Sequence, residues 1–376
     1  MVQYCATFLK PEMLHIYRQI TGLRNYKPVV FAQKRENEDK FPFADFRLFP
    51  KPPTHFLRRI WRKQVRNSPI QIYRSEVARL RAGLASSGAA LMHIYFGHIA
   101  IQLLPLLREK KGLPVVVSFH GADAMVDLGK SNYLAATQEM LGLADLVLAR
   151  SESLAERLVA AGCDRSKIRI HRAGIPLREL QFQQRSAPSA AWRFVQACRL
   201  IPKKGLATSL KAFARFARDF PESVFAIAGE GPMLDDLARL ASELGVGEKV
   251  TFTGFLSQAD LRKLYYESHV FLHPSELGAD GNQEGVPNSM LEAMATGLPV
   301  LATVHGGIPE AVESGGILVA ERDDEALALA MNALASKPER YAEMSAAASR
   351  EVSAKFELRA QVRALEGFYA EAISKR

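Results

Sequence analysis

Short apolar segments alternate with longer segments of helical periodicity through the C-terminal half, and this alternation restricts the fold more than any other feature of the chain. The apolar segments have the length of strands, and between them apolar residues recur every three or four positions. Strands joined by helices pair in parallel and are covered on both faces. The pattern therefore predicts an α/β domain with a doubly wound sheet. Its predicted strands are Phe194–Cys198, Val224–Ala228, Val250–Thr253, Val270–His273, Val300–Thr303 and Gly316–Val319.

The N-terminal half repeats the same pattern. Between the halves, segment 179–191 has no clear period and contains Ser186-Ala187-Pro188-Ser189, which breaks any helix. We therefore expect two Rossmann-like domains, 1–178 and 192–355, joined by a linker and facing each other across a cleft. Ligands of such sheets bind at the carboxyl ends of the strands. The predicted N-terminal strands are Tyr4–Phe8, Pro28–Ala32, Leu91–Tyr95, Val115–Phe119, Leu146–Ala149 and Ile168–His171.

Composition excludes several classes of protein. The chain is 48% hydrophobic and 24% charged, which is typical of globular proteins. Its 3 cysteines, Cys5, Cys163 and Cys198, form neither a disulfide framework nor a zinc motif, so we expect a reducing compartment. No segment approaches the roughly 20 apolar residues of a membrane span, and the N-terminus does not resemble a secretory signal. The sequence thus predicts a cytoplasmic protein.

Positive charge is concentrated in the N-terminal half. Residues 1–185 contain 29 Lys and Arg against 15 Asp and Glu, whereas the remainder has 20 against 25. The densest part lies within residues 56–81, where Phe56, Leu57, Ile60 and Trp61 supply an apolar side. One interpretation is a helix on anionic lipid headgroups at the inner face of the membrane. The other is a solvated basic helix whose apolar face packs on its own core; nucleic acid is not expected, because no binding motif accompanies the charge.

Two acidic residues flank a predicted helix start in the C-terminal half. Glu284 precedes the helix Ser289–Thr296, and Glu292 lies inside it. Asn288, or a residue just before it, can cap this helix, whose first-turn N–H groups attract anions. The two carboxylates can therefore accept hydrogen bonds from a sugar and a ribose. The alternative is a surface acid plus a carboxylate favoured by the helix dipole.

Basic residues and a histidine follow two other predicted strands. Arg199 and Lys204 surround a strand-to-helix loop, and such a pair can neutralise a diphosphate; ordinary surface charge is the alternative. His120 stands at the carboxyl end of Val115–Phe119 and is followed by Gly121. Its imidazole can reach a sugar oxygen, or can be a structural histidine. No histidine or cysteine spacing suggests a metal site, and no Gly-x-Gly-x-x-Gly suggests a dinucleotide.

Taken together, these motifs resemble the family 4 retaining glycosyltransferases, which have the two-domain GT-B fold. The resemblance is dense in the C-terminal half and sparser in the N-terminal half, where it includes His120-Gly121-x-Asp123. The stretch from Asp280 to Asn288 is similar to the branch that builds exopolysaccharides of the colanic-acid or amylovoran type. The motifs are Arg199 with Lys204-Gly205, Gly229-Glu230-Gly231-Pro232, Val250-Thr251-Phe252-Thr253-Gly254-Phe255 and Glu284-x7-Glu292.

The resemblance implies a role for each matching residue. Arg199 and Lys204 would hold the donor diphosphate, and Glu292 would bind the ribose. Glu284 would hold the donor sugar together with the backbone of Gly285, Val286, Pro287 and Asn288. His120 would face the reacting sugar from the other domain. The family needs no metal or other cofactor as a rule, and its last helix, here within 356–376, commonly crosses back to the N-terminal domain.

Two departures from the family pattern stand out. After the first strand, Phe8-Leu9-Lys10-Pro11-Glu12 replaces the glycine-rich loop of many relatives, which affects acceptor placement. After Glu284, the common Gly-Phe-Gly-Leu is Gly-Val-Pro-Asn. Pro287 removes one backbone N–H, so the contacts to the donor sugar are expected to differ.

The sequence thus predicts a hexosyltransferase that uses a UDP- or GDP-linked sugar. The expected acceptor is a lipid-linked saccharide of a surface polysaccharide pathway. A glycoside phosphorylase of the same fold, a non-catalytic sugar-nucleotide-binding scaffold and a polyanion-binding module remain alternatives.

Overall fold

The chain folds into two compact α/β units. The computed structural model describes residues 1–10, 13–109, 112–121, 131–278, 281 and 283–375. The first unit comprises Met1–Gly174 and Leu358–Arg376, and the second comprises Ile175–Glu357. Each contains one sheet in which every strand pairs in parallel with its neighbours. The predicted α/β class with two doubly wound sheets is confirmed.

The first unit is built on a sheet of 7 strands in the order β3-β2-β1-β4-β5-β6-β7. The order reverses between β1 and β4, and this reversal is the switch point at which open α/β sheets bind ligands. The strands are β1 Val2–Phe8, β2 Val29–Arg35, β3 Phe46–Leu48, β4 Met92–Tyr95, β5 Val115–Phe119, β6 Leu146–Ala149 and β7 Ile168–Ile170.

Helices cover both faces of this sheet. The edge strand β3 was not predicted, because its 3 residues are too few to show a period. The basic helix expected within residues 56–81 is divided in the structure between α2 and α3. A π-helical turn, Trp61–Val65, directly follows α2. The helices are α1 Leu14–Gly22, α2 His55–Ile60, α3 Arg74–Ser87, α4 Gly97–Gln102, α5 Leu104–Arg108, α6 Ser131–Leu143 and α7 Glu152–Ala160.

The second unit has a sheet of 6 strands in the order β10-β9-β8-β11-β12-β13. Its switch point lies between β8 and β11. The strands are β8 Arg193–Ala197, β9 Val224–Ala228, β10 Val250–Gly254, β11 Val270–His273, β12 Val300–Thr303 and β13 Gly316–Val319. The helices are α8 Leu206–Asp219, α9 Leu234–Glu243, α10 Gln258–Glu267, α11 Asn288–Ala295, α12 Ile308–Val312, α13 Asp324–Ala335 and α14 Pro338–Lys355.

The last helix, α15 Leu358–Ser374, lies in the first unit although it follows the second unit in the chain. Leu365, Tyr369 and Ala372 on this helix are fully buried against apolar residues of that unit. Burial of a side chain as large as Leu365 is worth about 2 kcal/mol, so the helix is an integral part of the unit rather than a tail.

The segment predicted as a linker, 179–191, lies in the second unit and packs on it. Arg185 is 7% exposed. Its guanidinium donates to the carbonyl oxygens of Ser268 at 2.6 Å and Tyr265 at 3.1 Å. The two terminal nitrogens of this side chain thus join the irregular segment to α10 and to the residue that follows it, which explains how the segment is held without a helical or strand period.

Gly205 fixes the close approach of α8 to the end of β11. Its φ is +62°, and a Cβ at this position would lie 1.7 Å from the carbonyl oxygen of Pro274. The first turn of α8 can therefore touch the loop after β11 only because residue 205 has no side chain.

We expect Gly205→Ala to lower the free energy of unfolding by about 2 kcal/mol or more, since the left-handed backbone and the clash both oppose a methyl group. Gly245→Ala is the matched control: its φ is +74°, but nothing lies within 4 Å of the added Cβ. This control should lose only about 1 kcal/mol. Urea denaturation of both variants measures the difference, and equal losses would contradict the close-contact explanation.

Candidate active site

The predicted donor-site residues of the second unit are brought together at the carboxyl ends of β8 and β11. Arg199 is exposed just after β8, and Lys204 ends a short turn, Pro202–Lys204, before α8. The hydroxyl of Ser289 in α11 donates to the carbonyl oxygen of Ala197 at 2.6 Å. This bond places the start of α11 beside the end of β8, where Arg199 follows.

An ion pair between Lys204 and Glu284 is the centre of this cluster. Lys204 Nζ lies 2.5 Å from Glu284 Oε2, and the exposed fractions of the two side chains are only 10% and 16%. Lys203 Nζ is 3.8 Å from the same oxygen. Burial acts to raise the pKa of the Glu284 carboxyl, but the two lysine charges outweigh it and lower this pKa to about 2. Glu284 is therefore a carboxylate at neutral pH and can only accept hydrogen bonds.

The loop after β12 forms hydrogen bonds with the backbone of Glu284 and Gly285. The Glu284 backbone N–H donates to Nε2 of His305 at 2.9 Å, and Gly307 N–H donates to the Gly285 carbonyl oxygen at 3.3 Å. His305 Nε2 is thus an acceptor, so the ring proton lies on Nδ1, 2.6 Å from a carboxylate oxygen of Glu321. This supporting role of His305 was not predicted from the sequence.

Gly306 allows the two loops to touch. A Cβ on Gly306 would lie 2.1 Å from the Glu284 carbonyl oxygen. The glycine pair after His305 was the signal in the sequence, but its partner, a loop about 20 residues earlier, is defined only by the fold.

The helix that follows Glu284 begins at Asn288, one residue earlier than predicted. Its N-cap is Pro287, with φ −67° and ψ 123°, and no side chain in the described part of the chain caps it. Pro287 itself has no N–H, so the first donors at this end are those of Asn288 and Ser289. An uncapped helix start next to two lysines provides a favourable environment for an anion.

Glu292 lies in the second turn of α11 and is 8% exposed. The fold thus buries this carboxylate rather than presenting it on the surface. Beside the cluster, His273 is fully buried at the end of β11, and within the described residues its ring nitrogens make no hydrogen bond. Burial, aided by the charge of Lys204, lowers the pKa of His273 to about 3 and keeps it neutral.

The loop after β9 packs on the loop after β8, as its glycines require. Gly229 has φ +138°, and a Cβ there would lie 1.9 Å from the Cys198 carbonyl oxygen. Leu200 N–H donates to the Glu230 carbonyl oxygen at 2.9 Å. The Gly229-Glu230-Gly231-Pro232 motif therefore has a structural function in shaping the backbone next to Arg199.

In the first unit, His120 follows β5 and contacts other polar groups. Ser118 Oγ is 3.0 Å from its Nε2, and His15 Nε2 is 3.3 Å from its Nδ1. Arg150 Nη2 donates to the same Nδ1 at 3.4 Å. Sequence reasoning did not single out His15 or Arg150, since neither lies in a motif. Asp123, Asp280 and Asn282, which were part of the resemblance, lie outside the described residues, as do Pro11 and Glu12.

The two α/β units correspond to two family models, and these models define the class of protein as a two-domain glycosyltransferase. Residues 178–351 match the model of the glycosyl transferases group 1, and residues 14–179 match that of Glycosyltransferase Family 4. Together the two matches span nearly the whole chain, which therefore belongs to these glycosyltransferases.

Curated relatives agree with the exopolysaccharide branch that the sequence resembles. WcaL of Salmonella typhimurium, named for colanic acid biosynthesis, is 34% identical over 227 residues, which are 60% of this chain and 55% of WcaL. The amylovoran biosynthesis glycosyltransferase AmsK of Erwinia amylovora is 32% identical over 248 residues, 64% of this chain and 60% of AmsK. The matched region is thus little more than half the length of either relative.

Solved structures share the fold. Anabaena HepE, in complex with UDP and glucose, superposes with a TM-score of 0.74 at 18% identity and covers 98% of both chains. WaaG, a glycosyltransferase involved in lipopolysaccharide biosynthesis, gives 0.70 at 15% identity over 97% of this chain and 98% of its own. At such identities the likeness shows the GT-B fold alone; the roles of the individual site residues stay predictions.

We expect Lys204→Met to lower the free energy of unfolding at pH 7 by about 3 kcal/mol or more, because it leaves the Glu284 carboxylate buried without its nearest charge. In the wild type, the stabilisation from this pair is complete above the ordinary glutamate pKa of 4.5 and is lost as pH falls toward 2. The variant should lose this part of the acid dependence. Urea denaturation at pH 7 and pH 3 measures both effects.

Lys203→Met is the matched control for that experiment, since Lys203 lies farther from the carboxylate. This variant should lower the free energy of unfolding clearly less than Lys204→Met does. A variant pair with equal losses would contradict the dominance of the Lys204 contact.

Proposed function

We propose that this protein is a retaining hexosyltransferase that moves a sugar from a UDP- or GDP-linked donor to a saccharide acceptor during the synthesis of a bacterial surface polysaccharide. The observation that carries the proposal is the Lys204–Glu284 ion pair at the uncapped start of α11. It combines positive charge for a diphosphate with an ionised acceptor for sugar hydroxyls. Family membership and the resemblance to WcaL and AmsK support the polysaccharide pathway.

The donor diphosphate would lie between Arg199, Lys204 and the first N–H groups of α11. As the bond from the anomeric carbon to the phosphate oxygen breaks, negative charge grows on the departing diphosphate, and these donors stabilise it. No metal or other cofactor is required in this scheme, because the protein supplies the positive charge. Glu292 would accept hydrogen bonds from the ribose.

Glu284 would hold the donor sugar. Its low pKa excludes a general acid role at neutral pH, so it would accept hydrogen bonds from sugar hydroxyls while Lys204 turns toward the diphosphate. The acceptor hydroxyl oxygen would bond to the anomeric carbon on the face that the diphosphate leaves, and its proton would pass to the departing phosphate oxygen. His120 of the first unit would donate a hydrogen bond to a sugar oxygen.

Calorimetric titration with UDP, GDP and ADP tests the donor site. We expect one nucleotide to bind selectively, and Arg199→Met with Glu292→Gln to weaken it at least about tenfold by removing a phosphate contact and a ribose contact. Arg239→Met with Glu243→Gln, an exposed ion-paired set on α9, is the control and should bind like the wild type. If the folded protein binds none of the three, the donor proposal fails and a phosphorylase or scaffold function gains support.

The acceptor is proposed to be lipid-linked, with the enzyme working at the inner face of the cell membrane. The basic segment 55–66 supports this location. Phe56 and Leu57 are each 66% exposed, Trp61 is 45% exposed and Val65 is 70% exposed. The apolar side of this segment therefore faces solvent instead of its own core, and basic residues surround it.

Arg58 explains how the segment keeps this orientation. It is 5% exposed, forms an ion pair with Glu76 of α3, and its guanidinium lies 4.3 Å from the centre of the Tyr73 ring. Arg58 thus anchors α2 from the inside, while Arg59, Lys63 and Arg66 are exposed. Apolar residues among cations match an anionic lipid surface, in which the apolar groups enter and the charges pair with headgroups. Among the described helices, none is long and apolar enough to cross a bilayer.

Sedimentation with phosphatidylglycerol vesicles tests the location. The wild type should bind at low salt and release as salt rises, because headgroup attraction is screened. The double variant with Phe56→Ser and Trp61→Ser should have a vesicle partition constant lower by about tenfold or more, because two inserted side chains are removed. Leu329→Ser, on an equally exposed residue of the second unit, is the control. Absence of wild-type binding, or equal binding by all three proteins, would rule out this surface as the membrane contact.

A further inference from the structure

A buried polar cluster behind His120 joins four parts of the first unit. Arg150, directly after β6, lies at its centre and is 6% exposed. Its Nη1 donates to the carbonyl oxygens of His171 at 3.4 Å and Arg172 at 2.9 Å. Its Nη2 donates to Gln19 Oε1 at 3.3 Å, in addition to His120 Nδ1. One guanidinium therefore connects α1, the chain after β7 and the histidine.

These contacts determine where the proton of the His120 ring lies. A guanidinium can only donate hydrogen bonds, so Nδ1 of His120 must be an acceptor. His15 Nε2, 3.3 Å away, approaches the same nitrogen. The ring proton is then on Nε2, from which it can donate to Ser118 Oγ at 3.0 Å.

The ring also stays uncharged. Desolvation lowers the pKa of His120 well below its ordinary value, and the positive charge of Arg150 lowers this pKa further. Smaller contributions in the same direction come from the neighbouring histidines His15, His93 and His171. A protonated ring would place a donor on Nδ1 against the donor of Arg150, which the geometry opposes.

The last helix, α15, forms hydrogen bonds with two of the segments that surround Arg150. Gln361 Oε1 accepts from Arg172 N–H at 3.1 Å and so fixes the segment whose carbonyls hold Arg150. Glu366, 5% exposed, accepts from the backbone N–H groups of Arg24 and Asn25, both at 2.6 Å. These residues follow α1, which carries His15 and Gln19.

We propose that Arg150 is a positioning residue that fixes the His120 imidazole in the tautomer whose proton is on Nε2. The inference rests on the proposed function, in which His120 faces the reacting sugar. His120 then acts through Nε2–H, which exchanges Ser118 Oγ for a sugar oxygen as its acceptor when the donor binds, and its Nδ1, engaged by Arg150, takes no part in proton transfer. Charge develops on the sugar and the leaving group in a site where the histidine cannot become protonated.

Nitrogen-15 NMR of histidine-labelled protein tests the tautomer directly. The His120 signals are assigned as those lost in His120→Gln, and the wild type should show the Nε2–H form at pH 7. In Arg150→Met the ring should become a mixture of both tautomers, since no cation then engages Nδ1. Arg150→Lys keeps a positive donor and should largely restore the Nε2–H form.

Arg169→Met is the matched structural control. Arg169 lies on β7 and pairs with Glu371 of α15 through two hydrogen bonds of 3.0 and 2.5 Å, so its loss perturbs the same unit without touching His120. The control should keep the wild-type tautomer. A wild-type ring protonated on Nδ1, or an Arg150→Met protein that retains only the Nε2–H form, would overturn the proposal. The wild-type spectrum decides the first point even if Arg150→Met does not fold.

Kinetics separate this proposal from the proposed function. With UDP-glucose and GDP-mannose as probes, release of the nucleotide should fall at least about tenfold in kcat for Arg150→Met, with little change in KM and with recovery in Arg150→Lys. If neither donor is turned over by the wild type, the donor proposal is at fault, and the NMR result alone judges the role of Arg150. Turnover with an unchanged kcat in a folded Arg150→Met protein would count against the positioning role.

Discussion

Parallel pairing of every strand is the constraint on which the rest of this structure depends. Neighbouring strands that run in the same direction need a crossover between them, so helices are forced onto both faces of each sheet. The carboxyl ends of all strands then meet at one edge. In the second unit this edge brings Arg199, Lys204 and Glu284 together, although up to 85 positions of sequence separate them. In the first unit it places His120.

Electrostatics then determine what each edge can do. In the second unit, two lysines keep a buried glutamate ionised, so the site combines positive charge with a strong acceptor. In the first unit, an arginine and desolvation keep a histidine neutral. One site therefore favours an anionic ligand, and the other presents a neutral donor. This contrast suits a reaction in which a charged leaving group departs from a neutral sugar.

Support for both sites comes from residues remote in sequence. His305 and Gly306 hold the backbone of Glu284, and α15 holds the elements around Arg150. Two side chains within hydrogen-bond distance of each other keep a fixed geometry only when the residues around them are rigid. The glycines serve the same purpose, since Gly205, Gly229 and Gly306 permit backbone contacts that any side chain would prevent.

The sequence by itself determined the α/β class, the strands of the second unit within a residue or two, and the family, because apolar periodicity and turn residues are local signals. It also contained the residues of the proposed donor site in recognisable order. Only the tertiary structure decided that Arg58 points inward while Phe56, Leu57 and Trp61 face solvent, since a short helix shows no period that identifies its buried side. Likewise, the contacts of Arg150 with His120 and of Lys204 with Glu284 depend on packing between distant segments, which no local pattern encodes.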